Sequence, residues 1–211
     1  MHRILYLLDP LCGWCYGAAP MLDRLMAQED LAVELIPTGL FADDGAFPMN
    51  DAFARHAWES DLRIAQLSGQ RFTEEYRLKV LGDRSARVDS GPATLALTAV
   101  RLTTPGREWE TLKAIQQVRY VDGRDNGDPA VIADVLSGLG LEEAAARFAT
   151  ADDELLSVCR IRIAEGQVQM RHFGARGVPT LIAGDGQSPR MVNASALFGD
   201  LDSLMTELKA T

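Results

Sequence analysis

Two cysteines stand where a short apolar run gives way to a helical pattern, and this junction constrains the fold more than any other feature. The segment Arg3–Leu8 (RILYLL) is short and almost entirely apolar, which is typical of a strand buried on both faces of a sheet. Pro10 ends it, and Cys12 and Cys15 follow in the motif CGWC. Apolar residues then recur at spacings of three and four, the period of a helix, at Ala18, Met21, Leu22, Leu25 and Met26.

The next apolar segment, Leu31–Pro37 (LAVELIP), alternates as a strand does. A strand, a helix and a strand within about 35 residues predict a right-handed βαβ unit. The following stretch, from about residue 50 to residue 140, has helical spacing throughout and no strand signal. We expect one of its helices to begin at Pro92 and another to be capped by Asp128.

A mixed pattern returns near the C terminus. Asp152 and Asp153 are typical N-cap residues for a long helix from Glu154 to about Arg171. The segments Thr180–Ala183 and Arg190–Val192 are predicted strands, joined by a hairpin turn at Gly184–Ser188. Asn193 or Ser195 is the predicted cap of one final amphipathic helix that uses Leu197, Leu201, Leu204 and Leu208.

The order βαβ, helical insert, αββα predicts an α/β fold with a mixed four-stranded sheet. We expect residues 1–45 and 155–211 to form one domain and residues 46–154 to form a large helical insertion that folds over one end of it.

A Cys-x-x-Cys pair at the start of a helix is suited to redox chemistry. The unpaired N–H groups and the positive dipole end of a helix N terminus stabilise a thiolate at Cys12. The thiolate is the attacking species in disulfide exchange, and Cys15, one turn inside, would resolve the mixed disulfide. Gly13 is expected to permit the tight turn, and Trp14 to supply an apolar wall beside the sulfur.

Two other interpretations of the pair remain at this point. A zinc site needs further ligands, and the remaining candidates, Cys159, His2, His56 and His172, are scattered singly. We therefore predict no metal. Alternatively, the two cysteines are simply small buried residues, as we expect for Cys159 within its helix.

Composition narrows the possible partners. The chain has 211 residues and a formal net charge of −9, whereas nucleic acids and anionic membranes bind basic surfaces, so neither is an expected partner. The apolar run Ile4–Leu8 is too short for a secretory signal or a membrane helix, and we expect a cytoplasmic protein. Three cysteines do not make a disulfide framework.

A second motif, Gly177-Val178-Pro179-Thr180, precedes the predicted hairpin. Together with the strand RILYLL, the CGWC motif and the helical insertion, it resembles the thioredoxin superfamily, and within it the DsbA-like thiol–disulfide oxidoreductases. The resemblance covers the whole chain and implies a thioredoxin fold. It also implies a cis Val178–Pro179 peptide bond packed opposite Cys12, with the backbone of Val178 pairing with a substrate peptide or glutathione.

The resemblance implies a set of site residues and partners. Cys12 and Cys15 would be catalytic, and substrate or glutathione would contact Gly13, Trp14, Arg176, Val178, Pro179 and Thr180. Glutathione would be a co-substrate rather than a tightly bound cofactor, and disulfide-bearing proteins would be the other partners. One position departs from the family pattern, because Tyr6 stands where thioredoxin and DsbA carry a buried acid, and Asp9 is the nearest carboxylate.

Three functions follow as hypotheses. The first is a cytosolic thiol–disulfide oxidoreductase of the reductase or isomerase type, linked to glutathione because the cytosol is reducing. The second is an enzyme similar to kappa-class glutathione transferases or 2-hydroxychromene-2-carboxylate isomerases, which carry a serine where Cys12 stands. The third is a peptide-binding or chaperone module in which the cysteines are incidental.

Overall fold

The computed structural model describes residues 2–184 and 188–209. In chain order its elements are β1 (His2–Leu8), α1 (Gly13–Gly17), α2 (Ala19–Met26), β2 (Leu31–Pro37), β3 (Phe47–Pro48), α3 (Asp51–Ser68), β4 (Arg87–Val88), α4 (Gly91–Thr103), α5 (Glu108–Tyr120), α6 (Pro129–Gly138), α7 (Glu142–Thr150), α8 (Asp153–Phe173), β5 (Thr180–Ala183), β6 (Arg190–Val192) and α9 (Leu201–Lys209). None of the helices in these two ranges is both long enough and apolar enough to cross a bilayer.

Four strands form one mixed sheet in the order β2-β1-β5-β6. Strand β1 runs parallel to β2 and antiparallel to β5, and β5 runs antiparallel to β6. As an inner strand, β1 buries Ile4, Tyr6, Leu7 and Leu8 almost completely, which explains its unbroken apolar sequence. The sheet and its helices confirm the predicted thioredoxin fold.

The helix after the cysteines is broken where one continuous helix was expected. Pro20 has no N–H and cannot bond the carbonyl of Tyr16 four residues earlier, so α1 and α2 meet at Ala18. The amide Nε2 of Gln70 donates to that carbonyl at 3.1 Å. The break therefore becomes an attachment point between the cysteine helix and the segment that follows α3.

The central segment is not helical throughout, as the sequence pattern suggested. Strands β3 and β4 pair antiparallel through Phe47 with Val88 and Pro48 with Arg87. Each strand is two residues long, too short to show an alternating pattern. Residues Tyr76–Val80 form a π-helical turn, which no sequence pattern indicated.

The C-terminal part follows the prediction up to the last helix. Asp152 caps α8 by accepting from the N–H of Leu155 at 2.8 Å, and β5 and β6 have the expected bounds. The predicted turn Gly184–Ser188 lies largely outside the described residues. The single final helix was wrong, because Asn193 caps a separate 3-10 helix (Ala194–Phe198) and α9 starts only after Asp200.

A buried ion pair joins the central helices to the sheet. Arg162 of α8 contacts Glu108 of α5 at 2.5 Å and donates to the carbonyl of Leu35 in β2 at 3.1 Å. It also donates to Thr98 of α4 at 3.2 Å. One arginine thus links four elements that lie far apart in the sequence. The division of the chain into residues 1–45 with 155–211 and residues 46–154 stays a prediction.

Candidate active site

Cys12 lies at the N-cap of α1, with an extended backbone (φ −82°, ψ 116°) and its N–H bonded to the carbonyl of Asp9 at 3.0 Å. Its Sγ lies 3.4 Å from the carbonyl oxygen of Val178, to which the thiol donates. The Val178–Pro179 peptide bond is cis, as the resemblance implied. The two motifs, more than 160 residues apart in sequence, therefore meet at one sulfur atom.

Cys15 sits deeper than Cys12, with an exposed fraction of 1% against 8%. Burial raises the pKa of the Cys15 thiol well above its usual value, and its hydrogen bond with Cys12 raises this pKa further. Cys15 therefore keeps its proton near neutral pH. A protonated, buried thiol suits the residue that enters an exchange second.

Tyr6 lies beneath Cys15, at the position where the family carries an acid. Its hydroxyl donates to the carbonyl of Cys15 at 3.3 Å, and its side chain also contacts the Cys15 thiol. Burial raises the pKa of Tyr6 well above 10.0, with the nearby cysteine charges adding to the effect. Tyr6 is thus a hydrogen-bond donor near neutral pH and not a proton acceptor.

Asp9 is fully buried and holds the loop that leads to Cys12. Its carboxylate accepts from the N–H of Leu11 at 2.9 Å, the N–H of Phe41 at 3.1 Å and the hydroxyl of Ser90 at 2.8 Å. Burial raises the pKa of Asp9, and these three donors partly offset that rise. The carboxylate has defined partners on three segments, so its role is to fix the loop.

Two openings flank the contact between Cys12 and Val178. The inner cavity has a volume of about 210 Å³. The residues that line it include Cys12, Gly13, His56, Asp61, Tyr76, Arg119 and Val178. The outer groove has a volume of about 490 Å³. It is lined by Trp14, Arg63, Leu67, Val178, Pro179, Ala194, Ser195 and Phe198. Trp14 and Val178 line both openings, so a molecule in either lies beside the cysteine motif.

The outer groove is mainly apolar. The rings of Trp14 and Phe198 pack edge to face with centroids 5.3 Å apart, and Leu67 is half exposed beside them. Arg63 on α3 adds a positive charge to this surface. Thr180, which the sequence placed near the substrate, bonds instead to the carbonyl of Gly177 at 2.9 Å and shapes the cis-proline loop.

The inner cavity contains a buried polar cluster that the sequence analysis missed. Tyr76 donates to Asp61 Oδ2 at 2.9 Å, and the guanidinium of Arg119 lies 5.5 Å from the centre of the Tyr76 ring. Tyr120 donates to the carbonyl of Leu11, next to Cys12, at 2.8 Å. All four side chains are almost fully buried. One signal was present, because Asp61 interrupts the buried stripe that Ala54 and Ile64 form on α3.

Gly13 and Gly17, four residues apart, lie on one face of α1 against α3. A Cβ on Gly13 would lie 2.3 Å from Asp61 Oδ1, and a Cβ on Gly17 would lie 2.3 Å from Ile64 Cγ2. Gly13 is not among the residues with positive φ, so its backbone conformation does not itself require glycine. Its lack of a side chain lets Asp61 approach the cysteine motif.

Two further candidate residues, Arg176 and Cys159, do not line either opening. Arg176 is exposed and lines neither of them, although the sequence suggested a contact with substrate. Cys159 is buried in α8, as expected, and burial raises its pKa. Among the residues that the structure describes, no group of three or more His, Cys, Asp or Glu side chains is placed to hold a metal ion.

Comparisons with known proteins agree with this geometry. Residues 3–205 match the family described as the DSBA-like thioredoxin domain. Cytosolic disulfide reductase DsbM from Pseudomonas aeruginosa is similar to this chain, with 32% identity, coverage of 98% of each chain and a TM-score of 0.85. A second structure of that protein, solved with GSH, has 33% identity, coverage of 99% and 100%, and a TM-score of 0.84.

More distant structures share the fold alone. A candidate protein disulfide isomerase from Nitrosomonas europaea has 23% identity, coverage of 98% of each chain and a TM-score of 0.76. A 2-hydroxychromene-2-carboxylate isomerase has 17% identity, coverage of 98% and 95%, and a TM-score of 0.62. A comparison with curated proteins found no match.

Proposed function

Because the chain belongs to the DsbA-like thioredoxin family and is a thiol–disulfide oxidoreductase, we propose that it acts in the reducing direction with glutathione as its small-molecule partner. Disulfide-bearing proteins, or their mixed disulfides with glutathione, are the proposed substrates, and the cytoplasm is the proposed compartment. The observation that carries the proposal is the similarity, at 33% identity over 99% of this chain, to a cytosolic disulfide reductase solved with GSH.

The proposed reaction starts at Cys12. Its thiolate attacks one sulfur of the substrate disulfide, the substrate S–S bond breaks, and a mixed disulfide with Cys12 forms. Either Cys15 or a second thiol then attacks the Cys12 sulfur and releases the reduced product. Cys12 is more accessible than Cys15, and the raised pKa of buried Cys15 keeps that thiol protonated, which supports this order of events.

The outer groove is the proposed binding surface for the part of the substrate that becomes attached to Cys12. Trp14 and Pro179 supply apolar contact, and the backbone of Val178 is proposed to pair with the substrate or glutathione backbone. Arg63 supplies a positive charge that suits a carboxylate of glutathione. Arg176, the cation suggested by the sequence, remains a proposal. It lines neither opening, whereas Arg63 lines the outer groove and is the stronger candidate.

No observation favours the isomerase or glutathione transferase alternative. At 17% identity the likeness to 2-hydroxychromene-2-carboxylate isomerase concerns the fold alone. A binding module without exchange chemistry is equally unsupported, because the Cys12 sulfur lies against the Val178 carbonyl at the junction of both openings.

Turnover of a mixed disulfide between glutathione and a cysteine-containing peptide tests the proposal. We expect turnover with wild type in the presence of reduced glutathione and its loss with Cys12→Ser, while Cys159→Ser serves as a control that keeps wild-type activity. Activity retained in Cys12→Ser would exclude Cys12 as the nucleophile. Conjugation of a chlorinated aromatic compound by the Cys12→Ser, Cys15→Ser double variant would instead revive the transferase alternative.

A further inference from the structure

The inner cavity brings a buried carboxyl group to Gly13, the first of the two residues between the cysteines. Asp61 lies so close to Gly13 that a methyl group there would sit 2.3 Å from its Oδ1. Its other oxygen, Oδ2, accepts from Tyr76 at 2.9 Å, which fixes the orientation of the carboxyl group. No described residue donates a hydrogen bond to Oδ1. Asp61 and Cys12 line the same cavity of about 210 Å³, so a substrate sulfur there meets both.

The neighbours of Asp61 leave few groups that exchange protons near neutral pH. From the π-helical turn, Tyr76 faces Asp61, and from α5 Arg119 and Tyr120 do so. Burial raises the pKa of both tyrosines well above 10.0, and Arg119 keeps its charge. His56 lies on the same helix as Asp61 and is exposed at the cavity rim. Apart from the reacting thiol of Cys12, Asp61 is therefore the buried acid–base group of this cavity.

Asp61 lies where the proposed reaction requires a group that donates and accepts a proton. When a disulfide breaks, the leaving sulfur departs as a thiolate, and the entering thiol of the second step must lose a proton. Tyr6 and Cys15 both hold their protons near neutral pH, so neither serves as the acceptor. The carboxylate of Asp9 is occupied by three hydrogen-bond donors.

We propose that Asp61 is the acid–base catalyst of thiol exchange at Cys12, an inference that rests on the proposed oxidoreductase function. In the first step the Cys12 thiolate attacks, the Cys12–sulfur bond forms, the substrate S–S bond breaks, and the leaving sulfur takes the proton of neutral Asp61. In the second step the Asp61 carboxylate accepts the proton of the entering thiol, which attacks the mixed disulfide and releases Cys12 as thiolate. The proton returns to Asp61, so the cycle is balanced.

The ionisation of Asp61 suits both steps. Burial raises the pKa of its carboxyl to about 7, while the hydrogen bond from Tyr76 and the charge of Arg119 act in the opposite direction. Near neutral pH both the acid and the carboxylate are therefore populated. A general acid–base group works best when its pKa lies near the operating pH.

The test is the pH dependence of the rate at which the enzyme forms its mixed disulfide, measured by stopped flow with small disulfides of different leaving thiols. Asp61→Asn should slow exchange by about 100-fold, the low end for general acid–base catalysis, since a thiolate is already a fair leaving group. The loss should grow as the pKa of the leaving thiol rises. The inflection near pH 7 should vanish in this variant.

Three further variants separate catalysis from structure. Glu59→Gln removes an exposed carboxylate from the same helix and should keep both the rate and the inflection. Tyr76→Phe removes the hydrogen bond that lowers the pKa of Asp61, so the inflection should move to higher pH. His56→Gln should retain the inflection, which excludes this histidine as its source.

The outcomes distinguish the two proposals. If wild type exchanges disulfides and Cys12→Ser does not, but folded Asp61→Asn keeps the wild-type rate and inflection, the role of Asp61 is wrong and the oxidoreductase proposal stands. If Asp61→Asn fails to fold, an unmoved inflection in Tyr76→Phe contradicts the inference. If wild type itself does not turn over mixed disulfides, the proposed function fails first.

Discussion

Cys12 and Cys15 are neighbours on one helical turn, yet the fold gives them different environments. Cys12 caps the helix and contacts the Val178 carbonyl at the junction of two openings, whereas Cys15 is enclosed above Tyr6. Because both residues are cysteines, the proposed roles of attacking and resolving thiol rest on this difference in burial and hydrogen bonding. The same principle applies to Asp61, which burial turns into a group that titrates near neutral pH.

The raised pKa of Asp61 also predicts how stability depends on pH. An aspartate in the unfolded chain loses its proton near pH 4, whereas folded Asp61 keeps it until about pH 7. Between these values the folded state binds more protons, so the free energy of unfolding falls as pH rises, by an amount on the order of 4 kcal/mol. In Asp61→Asn this contribution is absent.

Urea denaturation at pH 5 and pH 8 measures this effect. The wild type should lose stability relative to Asp61→Asn over this range, and Glu59→Gln should follow the wild type. Parallel stability profiles for wild type and Asp61→Asn would show that Asp61 does not titrate in this window.

Sequence reasoning reached the residues whose signals are local. Cys12 and Cys15 stand in a short motif and Val178–Pro179 in another, so both were identified from the sequence, and the resemblance implied the contact that the structure shows. Asp61, Tyr76 and Arg119 come from different elements, and only tertiary packing brings them to the cysteines. The close approach of Asp61 to Gly13 was missed as well, because Asp61 lies on another helix.

At the scale of elements, close contacts fix the cysteine helix to the central helices. Gly13 and Gly17 let α1 approach Asp61 and Ile64 of α3, and Gln70 bonds to the carbonyl that Pro20 leaves free. These contacts position α3, which forms one wall of the inner cavity. Long helices with regular apolar spacing, such as α8, were predicted well. The two-residue strands and the helix break at Pro20 were not, because they depend on tertiary contacts that the apolar spacing does not indicate.

The link between Arg162 and Glu108 carries a prediction at this scale. Arg162→Met removes the partner of a buried carboxylate and the contacts with Leu35 and Thr98, leaving Glu108 with only Arg101 at 3.8 Å. Breaking such a buried pair costs about 3 kcal/mol of unfolding free energy. Chemical denaturation should detect this loss.

Arg160→Met is the matched control, because Arg160 is exposed two residues earlier on the same helix. A change within about 0.5 kcal/mol is expected for it, as for other surface substitutions. Equal stabilities of the two variants would contradict the view that this ion pair ties α8 to α5.

For the molecule as a whole, the site is shared between two parts of the chain. The segments next to β1 and β5 supply the cysteine motif and the cis-proline loop, and the central segment supplies Asp61, Tyr76 and Arg119. The mixed four-stranded sheet followed from the order of strands and helices, and the thioredoxin fold from the resemblance that the two motifs carry. The chemistry of the inner cavity did not, since it depends on how the central segment packs against the cysteine helix.

The redox potential of the Cys12–Cys15 pair tests the central claim most directly. Cys159→Ala protein is equilibrated in glutathione buffers of known ratio, quenched with acid and alkylated, and its thiols are counted by mass spectrometry. A reductase that glutathione regenerates should have a midpoint of about −200 to −260 mV, within reach of the cytosolic glutathione pool. A midpoint below about −300 mV, which glutathione cannot reduce, or one near −120 mV, typical of a strong oxidant, would contradict the account.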